Sequence, residues 1–336
     1  MKGKNAAAAK NLQDFFESPG RIQAVDRRAF LGAAAAAVLA PRAAAPDAAV
    51  VLVTADLEAR LVAVDLRRGR IVRRLPTPAY PRSIEKVGAA AVVAHPELGA
   101  VSIVDGRRLA LTHVLRGFGE ARYTAAHPDG RHAYVTDAAR GEVVALDVAR
   151  GRMVGRARVG PLARHVTIDP HGRTLWVALG SKAEEIAVVD LAVRTRPRLV
   201  RRFRPPFLAH DVGWTPDGRR VWVSSGDREE LAVYDAASGR VLARPYGDWP
   251  PQHVTFAGGF AYVTSGWSGT LRVHRLDGRV LRTTPVPVGS YNVQAAHGRV
   301  VTPSLGRGDL CILDERGSVV RTERVARSSH DACVVR

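Results

Sequence analysis

The sequence predicts an all-β protein that folds as a seven-bladed β-propeller, with the C-terminal strand closing the first blade. Three observations predict this fold: a repeat of about 40 residues, four short strand patterns in each copy, and an unpaired strand pattern at the end of the chain. The chain has 336 residues, of which 46% are hydrophobic and 24% charged, with 31 Gly and 20 Pro. Such a composition is that of a globular chain and excludes disordered, collagen-like and multi-span membrane proteins.

An aspartate at the end of an apolar run marks the repeat and recurs every 39 to 45 residues. The marker positions are Asp65, Asp105, Asp147, Asp190, Asp235 and Asp314, with Arg275 in the equivalent place in the sixth copy. Within each copy, runs of four to six residues rich in Val, Ile, Tyr and Trp are bounded by Gly, Pro and Asp, which is typical of strands and turns. Four strands in each copy of this length indicate a propeller blade.

The two ends of the repeat region predict how the ring closes. The first copy begins at residues 50–53 and lacks an innermost strand, while residues 330–335 form a strand pattern without a copy of their own. Pairing these two segments removes the exposed edges that an open sheet would leave. We therefore expect residues 46–336 to form a single propeller domain.

Residues 1–45 are predicted to be an export signal followed by a short linker. An alanine-rich run at residues 33–40 is too short to span a bilayer and follows a charged segment. The pattern of that segment resembles a twin-arginine signal and consists of Arg27, Arg28, Phe30 and Leu31. We expect a periplasmic or extracellular monomer without a transmembrane span in the mature protein. An ordinary secretory signal is the alternative route.

The charge of the chain favours anionic partners. Lys and Arg number 50 against 32 Asp and Glu, a formal net charge of +18. A field of this size attracts acidic metabolites, anionic lipids or nucleic acid. No run of five or six cations forms a binding arm, so nucleic acid is the least expected of these partners.

Two polar columns appear at the start of the innermost strands when the copies are aligned on their Pro-Asp-Gly turns. The first column contains Arg82, Arg122, Arg164, His210, Gln252, Tyr291 and His330. The second column contains Ser83, Tyr123, His165, Asp211, His253, Asn292 and Asp331. Because the innermost strands surround the central channel, these columns predict a polar ring at the channel mouth. Solvated lining that holds ordered water is the alternative to ligand binding.

The two sides of this ring suit different ligands. Arg82, Arg122 and Arg164 come from consecutive blades and suit a carboxylate or phosphate group through bidentate hydrogen bonds. The other side offers imidazoles and carboxylates, which bind transition metals and also act as general acids or bases. Its members are His165, His210, His253, His330, Asp211 and Asp331.

The cofactor is unknown from the sequence, but a transition metal could bind at His165, His253 and His330. No His-x-His or His-Glu-x-x-His spacing is present, so the ligands would come from separate blades. Since neighbouring residues of a strand point to opposite sides, only one member of each His-Asp pair is expected to face the channel.

Two Tyr-Val-Thr strands and three turns carry a resemblance to a known family. They are residues 133–136 and 261–264, and the turns at residues 128–130, 170–172 and 216–218. Over residues 50–336 the chain resembles the YVTN-repeat (YncE-like) β-propellers, although Asp137 and Ser265 stand where that repeat has Asn. The resemblance implies a seven-bladed exported propeller. Its members serve as binding modules, envelope proteins or redox partners, and the related lactonase propellers are hydrolases.

Two functions therefore stay open at this stage. The first is a binding or scaffold protein that holds an anionic small molecule, a cofactor or an envelope protein partner at the channel mouth. The second is a metal-assisted hydrolase of the lactonase type, or a redox-associated enzyme, that uses the His and Asp side chains. The sequence contains no Cys-x-x-Cys-His haem attachment motif, phosphate loop or Gly-x-Ser-x-Gly elbow.

Overall fold

The computed structural model describes residues 49–336, in which seven antiparallel sheets of four strands each are found. The predicted export signal, with Arg27, Arg28, Phe30 and Leu31, lies outside these residues. Each innermost strand contacts the innermost strands of both neighbouring blades. These contacts close a ring around a central channel, so the predicted seven-bladed propeller is confirmed.

The strands are numbered along the chain, and blades 1 to 4 contain the first fifteen. Blade 1 contains β1 (Val50–Ala55), β2 (Arg60–Asp65) and β3 (Ile71–Pro76). Blade 2 contains β4 (Ser83–Val87), β5 (Ala90–His95), β6 (Ala100–Asp105) and β7 (Ala110–Arg116). Blade 3 contains β8 (Ala121–Ala126), β9 (His132–Asp137), β10 (Glu142–Asp147) and β11 (Arg152–Arg158). Blade 4 contains β12 (Ala163–Ile168), β13 (Thr174–Leu179), β14 (Ile186–Asp190) and β15 (Arg198–Phe203).

Blades 5 to 7 and the closing strand contain the remaining thirteen. Blade 5 contains β16 (Ala209–Trp214), β17 (Arg220–Ser225), β18 (Leu231–Asp235) and β19 (Val241–Ala243). Blade 6 contains β20 (Val254–Ala257), β21 (Phe260–Ser265), β22 (Thr270–Arg275) and β23 (Val280–Pro285). Blade 7 contains β24 (Gln294–Ala296), β25 (Arg299–Pro303), β26 (Asp309–Asp314) and β27 (Val319–Arg324), and β28 is Ala332–Val334.

Helical structure in the described part of the chain is limited to two short 3-10 segments, Asp56–Glu58 and Pro96–Leu98. No helix within residues 49–336 is long and apolar enough to cross a membrane.

The C-terminal strand β28 closes the first blade, as predicted. It pairs antiparallel with β1, with Leu52 opposite Cys333, and gives the sheet order β28-β1-β2-β3. Beyond the paired residues, the Val50 amide donates to the Arg336 carbonyl at 3.1 Å. Both edges of an otherwise open ring are thereby satisfied.

The repeated aspartates end the third strand of their blades because they cap the following turn. The Asp65 carboxylate accepts the amides of Arg67 and Arg68, each at 2.9 Å, and Asp105 does the same for its own turn. An aspartate that bonds to the backbone two or three residues later is a turn-forming side chain. The repeat marker of the sequence is therefore a turn signal.

The hydrophobic core lies between neighbouring blades. One cluster joins β-branched and leucine side chains of blades 1 and 7, another joins blades 1 and 2, and similar clusters follow around the ring. Each sheet thus buries both faces against its neighbours, and the innermost strands are held at the channel by packing behind them.

Candidate functional site

The predicted polar columns lie where the innermost strands are irregular. In blades 3, 4 and 5 the pairing of the first two strands shifts register between residues 121 and 124, 163 and 166, and 209 and 212. In blades 6, 7 and 1 the strand begins only after the columns, at Val254, Gln294 and Ala332. The column residues therefore sit in bulges or on strand entries, where alternation of side chains is broken.

A hydroxyl group on the second strand links the strand entries of neighbouring blades in blades 3, 5 and 6. Thr136 accepts the amide of Tyr123 at 3.0 Å and donates to the Arg164 carbonyl of the next blade at 2.6 Å. Ser224 likewise accepts the amide of Asp211, and it donates to the Gln252 carbonyl. Thr264 is the third such donor, to the Tyr291 carbonyl. The Thr of the Tyr-Val-Thr strands thus ties one blade's mouth to the next.

Four residues of the second column also form links between neighbouring blades. The carboxylate, amide or hydroxyl of each bonds to the backbone of the following blade. The pairs are Asp331 to the Ile84 amide at 3.0 Å, Asp211 to the Val254 amide at 3.1 Å, Asn292 to the His330 carbonyl at 2.8 Å, and Ser83 to the Arg122 carbonyl. These contacts give the four residues a structural role at the mouth.

The other three residues of the second column, Tyr123, His165 and His253, form an aromatic cluster with His210. Three imidazoles, those of His165, His210 and His253, have ligand nitrogens that all lie within 4.8 Å of one another. Their ring centroids are 4.5 to 5.5 Å apart. The Tyr123 ring lies 4.2 Å from His165 and 6.5 Å from His330. The cluster therefore contains His210 in place of the predicted His330.

The expectation that one member of each His-Asp pair faces the channel is wrong for His210 and Asp211. His210 lies 5.5 Å from the His253 ring, and the Asp211 carboxylate lies 3.3 Å from His253 Nδ1. Both reach the same imidazole because the bulge between residues 209 and 212 interrupts the alternation of the strand.

A hydrogen bond fixes the tautomer of His210. Its Nδ1 donates to the Ser181 carbonyl at 2.8 Å, and since a carbonyl only accepts, this nitrogen carries the proton and leaves Nε2 with a lone pair. His330 Nδ1 lies between an acceptor and a donor, the Arg82 carbonyl at 2.9 Å and Asn292 Nδ2 at 3.1 Å. His165 differs, because both of its ring nitrogens are buried without a hydrogen-bond partner in residues 49–336, and the side chain is only 1% exposed.

Burial and neighbouring groups disfavour the charged forms of His165, His210 and His330. Burial lowers the pKa of His165 well below its usual value, and the neighbouring His210 and His253 imidazoles lower it further. Burial lowers the pKa of His210 to about 3, helped by the nearby His253 imidazole and the charge of Arg164. Burial and the charge of Arg82 lower the pKa of His330 in the same direction.

Two of the three arginines of the first column have carboxylate partners. Arg82 Nη1 lies 3.4 Å from Asp56 Oδ2, and Arg122 pairs with Glu120. Arg164 forms no ion pair with any described residue, and its Nε is buried without a hydrogen-bond partner. Burial and the charges of Arg122 and Arg82 lower the pKa of Arg164 to about 10.

Gln252 and Tyr291, the other two members of the first column, are bound into the loops of blade 6 and blade 7. Gln252 Oε1 accepts the Gly266 amide at 2.8 Å. Tyr291 is buried, and its ring lies 6.2 Å from that of Trp267. A side chain at Gly266 would collide with Tyr291, because a Cβ there would lie 2.3 Å from the ring. These two residues shape the mouth through packing.

Below the ring cluster, the channel contains a cavity of about 230 Å³. Tyr123, His253, Asp211 and Asp331 line its upper part, and Glu85 and Gln294 line it further along the strands. Burial raises the pKa of Glu85 to about 7 and raises that of Asp331 well above its usual value. Glu85 was absent from the predicted site, and its place two residues after Ser83 on the same innermost strand is the signal that could have found it.

No protein-family model matches this chain, and no curated protein matches it. Solved structures are similar to it in fold. Hydrazine synthase of Kuenenia stuttgartiensis is 18% identical, with a TM-score of 0.67, covering 84% of this chain and 94% of that one. A functionally unknown protein from Desulfotomaculum acetoxidans is 12% identical, with a TM-score of 0.73, covering 85% and 98%.

The dihydro-heme d1 dehydrogenase NirN in complex with DHE is also similar, at 19% identity and a TM-score of 0.60. The match covers 84% of this chain but only 65% of the NirN chain. At these identities the likeness shows the fold alone. What these comparisons establish is that this chain is a seven-bladed β-propeller with the architecture of these solved structures.

Proposed function

We propose that the protein binds an anionic small molecule, with a carboxylate or phosphate group, at the arginine side of the channel mouth. The observation that carries this proposal is Arg164, a half-buried arginine whose Nε lacks a hydrogen-bond partner and which has no carboxylate partner among the described residues. A positive charge that is partly removed from water without a partner is unfavourable, and a bound anion would supply the missing partner.

The surroundings of Arg164 support a small ligand. Arg82 and Arg122 already have one carboxylate each, so the three cations face two anions and one positive charge stays unmatched. Tyr123 and the imidazoles occupy the centre of the mouth, above a cavity of about 230 Å³. A planar guanidinium in such a place favours bidentate binding of a carboxylate or phosphate.

Export and the YVTN-repeat relationship are part of the same proposal. The Thr136 and Thr264 contacts support the repeat relationship, since they give the repeated Tyr-Val-Thr strand a physical role at the mouth. In this view the protein is an exported binding propeller that recruits an acidic metabolite or holds a cofactor by its acidic group.

Calorimetric titration with inorganic phosphate, acetate and citrate tests the proposal. We expect at least one of these anions to bind, and Arg164→Gln to weaken that binding by about 30-fold or more, since removing one partner of a buried charge pair costs about 2 kcal/mol or more. Arg152→Gln is the matched control, because Arg152 is an exposed arginine on the outer strand of blade 3.

Two outcomes would contradict anion binding at the mouth. The first is that none of the three anions binds to the folded protein. The second is that Arg152→Gln weakens binding as much as Arg164→Gln, which would indicate general attraction to the net charge. A steep salt dependence spread over many arginines would point to a polyanion instead.

A further inference from the structure

We infer that His165, His210 and His253 form a binding site for one divalent transition metal ion at the channel mouth. Neutral imidazoles bind Zn²⁺, Cu²⁺, Ni²⁺ and Co²⁺, whereas Mg²⁺ and Ca²⁺ prefer oxygen ligands. The site goes beyond the anion site at Arg164 and does not depend on it, since it rests on a different set of side chains.

The spacing of the nitrogens is the first step of the argument. In a tetrahedral zinc site with bonds of about 2.0 to 2.1 Å, the ligand nitrogens are roughly 3.3 Å apart. The three imidazoles offer nitrogens within 4.8 Å of one another, so rotations of the side chains that move each nitrogen by about 1 Å would bring them to ligating distance.

The available lone pairs are the second step. The Ser181 carbonyl fixes the proton of His210 on Nδ1, and the Asp211 carboxylate lies 3.3 Å from His253 Nδ1 and favours the same tautomer there. An acceptor beside the second ring nitrogen is the usual arrangement for metal-ligating histidines. In both imidazoles the acceptor lies at Nδ1, so Nε2 is the ring nitrogen left to bind a metal ion.

The third step is the lack of hydrogen-bond partners at the His165 imidazole. Both of its nitrogens lack a hydrogen-bond partner in the described part of the chain, although the side chain is only 1% exposed. A buried polar group without a partner costs about 1 to 3 kcal/mol. Ring packing against Tyr123 at 4.2 Å accounts for the shape of the pocket but satisfies neither nitrogen, whereas a metal ion satisfies one of them.

The scaffold keeps the three histidines in place. They come from consecutive blades 4, 5 and 6, and the interblade bonds of Thr136 to Arg164 and of Asp211 to Val254 hold the backbone beside each of them. Held by rigid neighbouring blades, the imidazoles lose little freedom on binding a metal.

The fourth coordination position would take an anionic ligand. Arg164 directly precedes His165 in the chain, so its positive charge would oppose a bare dication bound to that imidazole. A hydroxide or carboxylate on the metal would be attracted by the same charge. The site therefore suits a metal ion that carries an anionic ligand rather than a closed structural ion.

Titration of the metal-free full-length protein with Co²⁺ tests this inference, with visible absorption and elemental mass spectrometry as readouts. We expect one Co²⁺ per chain with the intense d–d bands of a four-coordinate nitrogen site. His210→Ala should weaken binding by about 100-fold or more, and His165→Asn should do so as well. His171→Ala is the matched control, because His171 is an exposed residue in the turn after β12, at the other end of the same strand.

Absence of stoichiometric Co²⁺ binding would overturn the inference. Full binding in both His210→Ala and His165→Asn would also overturn it, as would an equal loss in His171→Ala. Thermal unfolding of each variant shows whether it is folded, and His210 is the less buried of the two ligands, so its variant keeps the test decisive if His165→Asn does not fold.

Discussion

At the end of each third strand, six of the seven blades carry the same residue, whereas at the start of the innermost strands only two blades carry the same pair of residues, His-Asp. The aspartates at the first place cap turns within their own blade, as Asp65 and Asp105 do. The residues at the second place bond to the following blade or meet at the centre of the channel. In this propeller, repeated residues therefore maintain the fold, and departures from the repeat mark the candidate site.

Thr136 gives the largest expected effect and tests whether repeated residues and mouth residues are separate groups, because it is a repeated residue that bonds at the mouth. Thr136→Val keeps the shape of the side chain but leaves the Tyr123 amide and the Arg164 carbonyl without their bonds. Two buried backbone groups without partners should lower the free energy of unfolding by about 2 to 3 kcal/mol. Urea denaturation followed by circular dichroism measures this loss.

The control for this change is Thr112→Val, which removes an exposed hydroxyl on β7 whose partners, the Ile103 carbonyl and the His113 imidazole, belong to the same blade. We expect its unfolding free energy to stay within about 0.5 kcal/mol of the parent. An equal loss of unfolding free energy in the two variants would show that the hydroxyl link between blades stabilises the protein no more than a bond within one blade.

Glu85 tests the same comparison with a channel residue that is not part of the repeat. Burial raises its pKa from 4.5 to about 7, against the bond from Gln294 Nε2 and the charge of Lys86. Between these two values the folded protein holds a proton that the unfolded chain has lost, so the stability falls as the pH rises. Glu85→Gln removes this fall. Between pH 5 and pH 8 the free energy of unfolding of the variant should therefore rise by about 2 kcal/mol relative to that of the parent.

Unfolding free energies at the two pH values, in parent and variant, give the measurement. The pKa of Asp331 is also raised, in part by the charge of Glu85, so the variant keeps a smaller fall of the same sign. A parent and variant with parallel pH profiles would mean that the Glu85 carboxyl is well solvated in the channel.

The smallest effect is expected at a single repeated turn. Asp105→Ala removes bonds of 2.8 Å from the amides of Arg107 and Arg108 in an exposed turn. We expect a loss of about 1 kcal/mol in the free energy of unfolding, with no change in anion or metal binding, because the turn lies away from the mouth. A change in either binding constant would contradict the separation of fold and site residues.

Local chemistry explains why so much of the fold could be predicted. The aspartate of each turn and the apolar runs before it act within one blade, so each copy carries its own signal, and the leftover segment at residues 330–335 predicts the closing strand. Ser and Thr at equivalent places, as in Thr136, Ser224 and Thr264, are also visible in the sequence. Their bonds to the next blade are not, because they depend on how blades pack.

The candidate site was predictable as a ring of residues but not as a geometry. The columns contain all three histidines of the cluster, yet strict alternation placed His210 and Asp211 on opposite sides, and the metal set expected from the sequence was His165, His253 and His330. The bulge before Val212 brings His210 and Asp211 to the same imidazole, and nothing in the local sequence distinguishes a bulge from a regular strand there. Among the three arginines of the first column, Arg164 alone has no carboxylate partner in the described residues, because Asp56 and Glu120 lie beside Arg82 and Arg122. The sequence does not show these positions.

The closing strand has a consequence for the order in which the molecule is built. Thr54 and Asp331 hydrogen-bond across 277 positions of the chain, so blade 1 gives the mouth its His330 and Asp331 only after synthesis has passed the seventh blade. Until then β1 has an unpaired edge on the channel side, where it can pair with another chain. Each aspartate turn can form as soon as its own hairpin leaves the ribosome, whereas the mouth is assembled last and in a single step.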